Sequence, residues 1–379
     1  MMTPTVRRLR AAARRGEAAL QRFLERHRVP IQGEGLTTFV FVGEADKVDL
    51  DHWIYGLPGT QPFDRVPGTT LWHLSVDLPA ESRIEYKLGI TRNGHRDTIL
   101  DPLNPRRAHD PFGANSVCST EGYQIPEWAG HDPESRPGSI EDVEIDSAAL
   151  RSRRTLHVYL PARFRARRRY PLLVVHDGSD YLRYSSLRNV LDNLITRLEV
   201  APLIVAFTDP GNRLKEYAAD ARHARHITQE VLPLLADRYP LVDEPGGRGL
   251  MGASLGAVAS LSTAWMHPDI WGRLMLQSGS FAFTDIGQTR RGPEFEPVVT
   301  WMNRFRSDPG RPADRVYVSC GVYESLIYEN RSLVPMLQQA EMQVLFTEAR
   351  DGHNWENWRD RMRQGLSYLF PGPLWLTYE

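Results

Sequence analysis

The chain has 379 residues, of which 41% are hydrophobic and 25% are charged, a composition typical of a globular protein. This length leaves room for two domains, each with its own core. The 46 basic and 47 acidic residues give a net charge of −1, which argues against a protein that binds nucleic acid along its whole length.

Three further features exclude other classes of protein. No stretch approaches the roughly 18 consecutive apolar residues of a membrane span, so we expect no membrane association. The two cysteines, Cys118 and Cys320, are too few for a disulfide framework or a cysteine-ligated metal site. Because the first residues contain no apolar signal-peptide core, we expect a cytoplasmic protein.

Residues 1–30 are predicted to form a helical N-terminal segment. Apolar residues recur at approximately helical spacing over residues 4–28, with eight arginines among them. Glu17 and Glu25 interrupt the positive charge, so a packed helix is favoured over an arginine-rich transit peptide.

Residues 31–126 are predicted to form a small immunoglobulin-like β-sandwich. Four short strand candidates are separated by turn residues such as Asn93-Gly94, at the spacing that is typical of sandwiches. The candidates are residues 37–42, 48–55, 71–78 and 83–90. The polar segment 127–139, with two prolines and two glycines, is predicted to be a linker.

Residues 140–379 are predicted to form an α/β domain with a mostly parallel sheet and helices on both faces, because apolar strands alternate there with helical stretches. The strand candidates are residues 155–160, 172–176, 203–208, 249–251, 273–277, 316–320 and 344–347. The helical stretches lie near residues 185–199, 219–238, 255–266, 328–340 and 355–369.

The most specific catalytic signal is the pentapeptide Gly252-Ala253-Ser254-Leu255-Gly256. It follows a predicted strand and precedes a predicted helix, which is the context of the nucleophile elbow of serine hydrolases. Ser254 is therefore the predicted nucleophile. The backbone N–H of Leu255, at the start of the helix, is the first predicted donor to an oxyanion.

A serine nucleophile needs a base, and His353 is the candidate. It follows the last predicted strand, and in hydrolases with this elbow the order along the chain is serine, acid, histidine. The acid is predicted to be Glu324, at the end of the strand 316–320, where a carboxylate can orient the imidazole. Glu329 and Asp351 remain alternatives.

The turn after the strand 172–176 is predicted to supply the second oxyanion donor, from the backbone N–H of Gly178 or Ser179. Strand ends of this kind collect ligand sites in open α/β sheets. Tyr181, just beyond the turn, and Arg213, after the strand 203–208, are therefore predicted to bind substrate. For Arg213, an ion pair with Glu216 that clamps its own loop is the favoured alternative. No metal ligand set or phosphate-binding loop is recognisable, so we expect no metal and no cofactor.

These motifs together resemble those of bacterial enterochelin esterases and of the wider putative-esterase group of α/β-hydrolases. The motifs in the α/β region are His176-Asp177-Gly178, Asn212-Arg213 with Glu216-Tyr217, the elbow pentapeptide, His267-Pro268-Asp269, Gln277-Ser278-Gly279-Ser280 and Asp351-Gly352-His353. The motifs that favour the enterochelin-esterase branch are Arg65-Val66-Pro67-Gly68-Thr69 with Trp72, Arg83 with Tyr86, and Asp101-Pro102-Leu103-Asn104-Pro105.

The resemblance implies an esterase that acts on a small-molecule ester, in that branch the trilactone of a catecholate siderophore or its iron complex. It also supports Ser254, His353 and Glu324 as the catalytic triad. An acyltransferase, a feruloyl-type carbohydrate esterase and a degenerate hydrolase that only binds its ligand remain alternatives. The sequence leaves open whether the chain forms a homodimer.

Overall fold

The structure, a computed structural model, describes residues 3–284 and 292–372. These residues separate into two compact units. The first unit contains the chain up to residue 124 and also two short later segments, residues 322–324 and 349–353. The second unit contains the remaining described residues. The domain limits predicted from the sequence stay a prediction.

Two helices, rather than the single predicted one, occupy the N-terminal segment: α1, Pro4–Arg14, and α2, Glu17–Glu25. The break lies at Gly16, whose φ of 106° belongs to a region that glycine adopts without strain. The side chain of Thr3 caps α1 by accepting a hydrogen bond from the backbone N–H of Val6 at 3.2 Å.

Antiparallel strands make up the rest of the first unit. They are β1 Ile31–Gly33, β2 Leu36–Val42, β3 Lys47–His52, β4 Thr60–Pro62, β5 Asp64–Arg65, β6 Leu71–Val76, β7 Arg83–Arg92, β8 His95–Ile99, β9 Arg107–Asp110 and β10 Gly113–Ser119. One sheet has the order β1-β2-β6-β5, and the other has the order β4-β3-β7-β10-β9, with β8 also paired to β7.

Strand β2 shows why this part of the sequence is so apolar. Phe39 and Phe41 point into the core between the two sheets, where they join residues of β7 such as Tyr86 and Leu88. Val40, between them, points to the opposite face and packs in the cluster that contains the apolar side chains of α1 and α2. The strand is therefore buried on both faces, which explains why its apolar residues are consecutive instead of alternating with polar ones.

Strand β7 has one apolar and one polar face. Ile84, Tyr86 and Leu88 lie in the sandwich core, whereas Arg83 and Glu85 alternate with them and point to the other face. On this strand, Arg83 also bonds to Arg350 and Asp351.

The second unit contains one eight-stranded sheet. Its strands are β11 Ser139–Ser147, β12 Ser152–Leu160, β13 Leu172–His176, β14 Ile204–Thr208, β15 Arg248–Ala253, β16 Arg273–Gln277, β17 Arg315–Gly321 and β18 Gln343–Ala349. Their order is β11-β12-β14-β13-β15-β16-β17-β18. Strands β13 to β17 pair in parallel, and β12 is antiparallel to both of its neighbours.

Helices cover this sheet. They are α3 Gly178–Tyr184, α4 Leu187–Thr196, α5 Arg213–Glu216, α6 Ala221–Arg225, α7 Leu232–Arg238, α8 Leu255–Met266, α9 Glu296–Ser307, α10 Ile327–Gln339, α11 Trp355–Asp360 and α12 Met362–Leu369. A π-helical segment, His226–Val231, joins α6 to α7.

Strand β13 shows that the sheet is buried on both faces. Leu172 and Val174 join one hydrophobic cluster, and Leu173 and Val175 join the cluster on the opposite face. The predicted fold class, an α/β domain preceded by a small antiparallel β-sandwich, is confirmed. Among the described residues, no helix is both long enough and apolar enough to cross a bilayer.

Candidate active site

Ser254 lies in the turn between strand β15 and helix α8, as the pentapeptide predicted. Its backbone has φ 57° and ψ −119°, a conformation that residues with a side chain rarely adopt and that costs on the order of 1–3 kcal/mol. Two hydrogen bonds hold the turn in place. The N–H of Ser254 donates to the carbonyl oxygen of Gln277 at 2.9 Å, and its own carbonyl accepts from the N–H of Ser280 at 3.2 Å.

The missing side chain of Gly252 allows the end of the strand and the backbone of Gly256 to meet at this turn. A Cβ atom on Gly252 would lie 2.3 Å from the carbonyl carbon of Gly256, closer than real Cβ contacts occur. The helix therefore begins directly after Ser254, and the N–H of Leu255 is one of the N-terminal donors that the helix itself does not use. The arrangement exposes a serine hydroxyl beside a donor that can bind an oxyanion.

Ser280 is a neighbour of the serine that sequence reasoning did not single out. Its hydroxyl oxygen lies 3.2 Å from the hydroxyl oxygen of Ser254. Residues 277–280 are one of the motifs that carry the family resemblance, but no local pattern in the sequence indicates that their last serine reaches the elbow.

Glu324 and His353 contact each other within the first unit. Nδ1 of His353 lies 2.7 Å from Oε2 of Glu324. The carboxylate side chain is only 1% exposed and the imidazole is 38% exposed, so the acid is buried behind a partly accessible base. Asp351, one of the alternatives, instead accepts hydrogen bonds from Arg83 and from the N–H of Gly352. Glu329, the other alternative, is buried in helix α10.

The turn after β13 has the conformation that its sequence suggested. Asp177 has a left-handed φ of 55°, and Gly178 begins helix α3. A Cβ atom on Gly178 would lie 2.4 Å from Cβ of Phe207, so the turn can pass close to strand β14 only with glycine at this position. The N–H of Ser179 donates to Oδ1 of Asp209 at 3.1 Å, and its hydroxyl also bonds to that carboxylate.

Arg213 forms an ion pair within the second unit, but not with the predicted partner. Its guanidinium donates to both carboxylate oxygens of Asp177, at 2.8 to 3.0 Å. Glu216 instead pairs with Arg154 at 2.8 Å. The expected clamp is thus corrected: Arg213 joins its loop to the turn after β13. Burial acts to lower the pKa of Arg213, but the hydrogen bonds and charge of Asp177 outweigh it and raise the pKa.

Tyr181 makes contacts within the second unit, and its predicted role in substrate binding stays a prediction. The side chain is fully buried, and its hydroxyl donates to Oε1 of Gln277 at 2.8 Å. Its ring packs edge-on against Trp355. Tyr181 therefore supports the end of β16, the strand that also holds the elbow through Gln277.

Acidic side chains surround the turn after β13. Burial, together with the negative charges of Asp177 and Asp209, raises the pKa of Asp180 to about 6. Arg213 opposes this shift because its positive charge favours the carboxylate. Within residues 3–284 and 292–372, no group of three or more His, Cys, Asp or Glu residues is arranged to hold a metal ion.

Comparison with known proteins assigns the chain to a family. The model of the family described as Putative esterase matches residues 147–369, more than half of the chain. The chain belongs to the Putative esterase family. The resemblance to enterochelin esterases inferred from the motifs is confirmed.

Relatives of this Putative esterase family member include named siderophore esterases. The chain is 24% identical over 331 residues to the iron(III) enterobactin esterase of Escherichia coli O6:H1, and the match covers 81% of each chain. It is 23% identical over 376 residues to the iron(III) salmochelin esterase of the same strain, a match that covers 92% of this chain and 86% of the relative.

Solved structures share the fold. The ferric enterobactin esterase of Salmonella typhimurium has a TM-score of 0.72 at 20% identity, and the alignment covers 89% of this chain and 94% of that one. A ferulic acid esterase has a TM-score of 0.55 at 18% identity and covers 63% of this chain and 99% of its own. The family and the curated relatives, rather than these structures, support a carboxylic ester hydrolase.

The close approach of Gly252 to Gly256 makes a steric prediction. We expect Gly252→Ala to lower the free energy of unfolding by about 2 kcal/mol, because the methyl group must displace the start of helix α8. Gly246→Ala is the matched control, since its Cβ would contact only the carboxylate of Glu244 at 3.9 Å. Urea unfolding of the two variants and the parent chain is the measurement. Equal stability of the Gly252 variant and the parent would contradict the packing described.

The raised pKa of Asp180 makes a pH-dependent prediction. An unfolded aspartate ionises near pH 4, whereas the folded carboxyl ionises only near pH 6. The folded state therefore binds the proton more tightly, so Asp180 makes the protein less stable as the pH rises from about 4 to 6. After a reduction for partial solvent exposure, we expect Asp180→Asn to be about 1 kcal/mol more stable than the parent above pH 6 and equally stable at pH 4.

Urea unfolding at a series of pH values measures this difference. Asp237→Asn, at an exposed position of helix α7, is the control for replacing an aspartate with asparagine. A stability difference for Asp180→Asn that is the same at pH 4 and pH 8 would contradict the assignment.

Proposed function

We propose that the chain hydrolyses its ester through a covalent acyl-enzyme, with Ser254 as nucleophile, His353 as general base and Glu324 as the acid that orients the base. The observation that carries this proposal is the conformation of Ser254. A strained φ of 57° at a strand-to-helix turn, with the helix N-terminus directly behind it, is the geometry of a serine presented for attack.

The contact between His353 and Glu324 supports the assignment of the base. Because Nδ1 of His353 faces the buried carboxylate, Nε2 is the nitrogen that takes the serine proton. The carboxylate then stabilises the imidazolium that forms. The proposal requires Nε2 to come within hydrogen-bond reach of the Ser254 hydroxyl in the working enzyme.

In the first half of the reaction, the oxygen of Ser254 attacks the ester carbonyl while its proton passes to His353. The backbone N–H of Leu255 and a second donor from the turn after β13 stabilise the resulting oxyanion. Gly178 is the favoured second donor, because the N–H of Ser179 already donates to Asp209. Collapse of the intermediate transfers the proton from His353 to the leaving alcohol and leaves an acyl ester on Ser254.

In the second half, His353 takes a proton from water, and the hydroxide oxygen attacks the acyl ester. The carbonyl–serine bond breaks, the proton returns to the Ser254 oxygen, and the free acid leaves. No bound metal is needed for any of these steps.

We propose that the substrate is the trilactone of a catecholate siderophore, free or bound to iron(III). The relatives named as enterobactin and salmochelin esterases match across both units, over 81% and 92% of this chain. The ferulic acid esterase covers only 63% of the chain. The β-sandwich unit therefore favours the siderophore branch over a carbohydrate esterase.

The substrate class is tested by steady-state hydrolysis of four esters: a catecholate trilactone with and without iron(III), methyl ferulate, and a short-chain nitrophenyl ester. We expect kcat/KM for the trilactone, in one of its two forms, to exceed that for methyl ferulate by at least about 100-fold, because the preferred ester gains contacts in the transition state that the other lacks. Faster turnover of methyl ferulate would overturn the substrate assignment.

In the same assay, two variants test whether Ser254 is the nucleophile. Ser254→Ala should lower trilactone turnover by about a thousandfold or more. Ser262→Ala, which changes a buried serine on the same helix whose hydroxyl donates to the carbonyl of Ala259, should retain it. Retained turnover in Ser254→Ala would contradict the serine mechanism itself.

A further inference from the structure

We propose that Arg83 is a positioning residue for catalysis. From the β-sandwich, it holds the segment that carries His353 and thereby keeps His353 in contact with Glu324. This inference rests on the proposed triad. It extends that proposal by giving the N-terminal unit a role in the chemistry and not only in substrate recognition.

The two segments that carry the acid and the base are bonded to each other. Glu324 follows the segment 322–323, and His353 follows the segment 349–352. The N–H of Val322 donates to the carbonyl of Ala349 at 2.8 Å, and the N–H of Tyr323 donates to the carbonyl of Asp351 at 3.2 Å. Movement of either segment would therefore disturb the 2.7 Å contact between His353 and Glu324.

Arg83 holds the second of these segments with both its backbone and its side chain. Its N–H donates to the carbonyl of Arg350 at 2.9 Å, and Nη1 donates to Oδ1 of Asp351 at 3.3 Å. The same carboxylate oxygen accepts the N–H of Gly352 at 2.7 Å. Arg83 thus bonds directly to two of the three residues that precede His353, through its backbone to Arg350 and through its side chain to Asp351, and the third, Gly352, bonds to the same carboxylate.

A second set of contacts holds the segment before Glu324. The hydroxyl of Tyr323 lies 2.6 Å from the hydroxyl of Ser82, the residue before Arg83. The carbonyl of Tyr323 accepts the N–H of Tyr55 at 2.8 Å. Both segments therefore contact the same end of strand β7, and the segment before Glu324 also contacts Tyr55, which follows strand β3.

The charges at this anchor are buried. The side chain of Arg83 is 3% exposed, and it lies between Glu85 at 3.0 Å and Asp351 at 3.3 Å, which are 8% and 6% exposed. Replacing a buried ion pair with apolar groups is often neutral for stability, because desolvation offsets the attraction between the charges. Hydrogen-bonded charges of this kind do restrict geometry, and a catalytic group must be held within about 0.5 Å of its productive position.

Kinetics of Arg83→Met and Arg83→Lys test the inference. A misplaced catalytic group costs up to about 100-fold in rate, so we expect Arg83→Met to lower kcat for a nitrophenyl ester by about 30-fold with KM changed less than about threefold. Arg83→Lys keeps the charge and one donor to Asp351, and we expect it to recover at least about fivefold of that loss.

Tyr86→Phe is the matched control. It removes the buried hydroxyl that donates to Asp101 at 2.7 Å, on the same strand as Arg83 and three residues away. We expect it to lower the melting temperature and to leave kcat within about twofold of the parent, because its partners lie within the sandwich. A loss of kcat in Tyr86→Phe equal to that in Arg83→Met would mean that general loosening of the sandwich is responsible, and would overturn the inference.

A proton spectrum gives a readout that does not depend on turnover. The Nδ1 proton that His353 shares with Glu324 should give a low-field resonance in the parent that is absent from His353→Ala, and it should broaden or disappear in Arg83→Met. If Arg83→Met does not fold, Tyr323→Phe tests the inference instead, because it removes only the hydroxyl contact with Ser82. For this variant we expect a loss of kcat of at least about threefold and a weakened low-field resonance.

The outcomes separate the two proposals. Full activity in Ser254→Ala would overturn the serine mechanism, whatever Arg83 does. If Ser254→Ala is inactive, but folded Arg83→Met has the kcat and the low-field resonance of the parent, the triad stands and the positioning role of Arg83 is wrong.

Discussion

The close approach of two glycines is the constraint on which the candidate active site depends. Because Gly252 carries no Cβ atom, the backbone of Gly256 can approach it closely, so strand β15 turns directly into helix α8 and Ser254 is held at a positive φ between the two glycines. The N–H of Leu255, at the start of the helix, is one of the donors that the helix itself does not use. The strain at one residue is offset by the packed sheet around it, including the bond to Gln277 of the neighbouring strand.

The proposed acid and base depend on contacts in a different part of the molecule. Glu324 and His353 follow strands of the α/β sheet, yet the segments that carry them pack with the β-sandwich, through Arg83 and Tyr323. For the proposed triad, these contacts are a physical reason to depend on the N-terminal unit beyond any role in substrate choice.

The sequence predicted those parts of the fold and site that local pattern controls. The glycine spacing predicted the turn at Ser254, and the order of elements predicted the partners Glu324 and His353. The break between α1 and α2 was missed because one glycine in an otherwise periodic segment is a weak signal, and strand β11 was missed because its edge position tolerates the charged residues of 139–147. The partner of Arg213 and the anchoring role of Arg83 could not be predicted, since each depends on a residue that is distant in sequence and is brought close only by the tertiary fold.

The most direct test of the account is covalent labelling of the serine. A fluorophosphonate reacts with a serine whose hydroxyl is activated by a neighbouring base, and it leaves ordinary surface serines unmodified. We predict that intact-mass measurement shows one adduct per chain, that peptide sequencing places it on Ser254, and that labelling slows at least about a hundredfold in His353→Ala. An adduct on another serine, or labelling of Ser254 at the same rate in His353→Ala, would contradict the claim that this turn and this histidine form the catalytic centre.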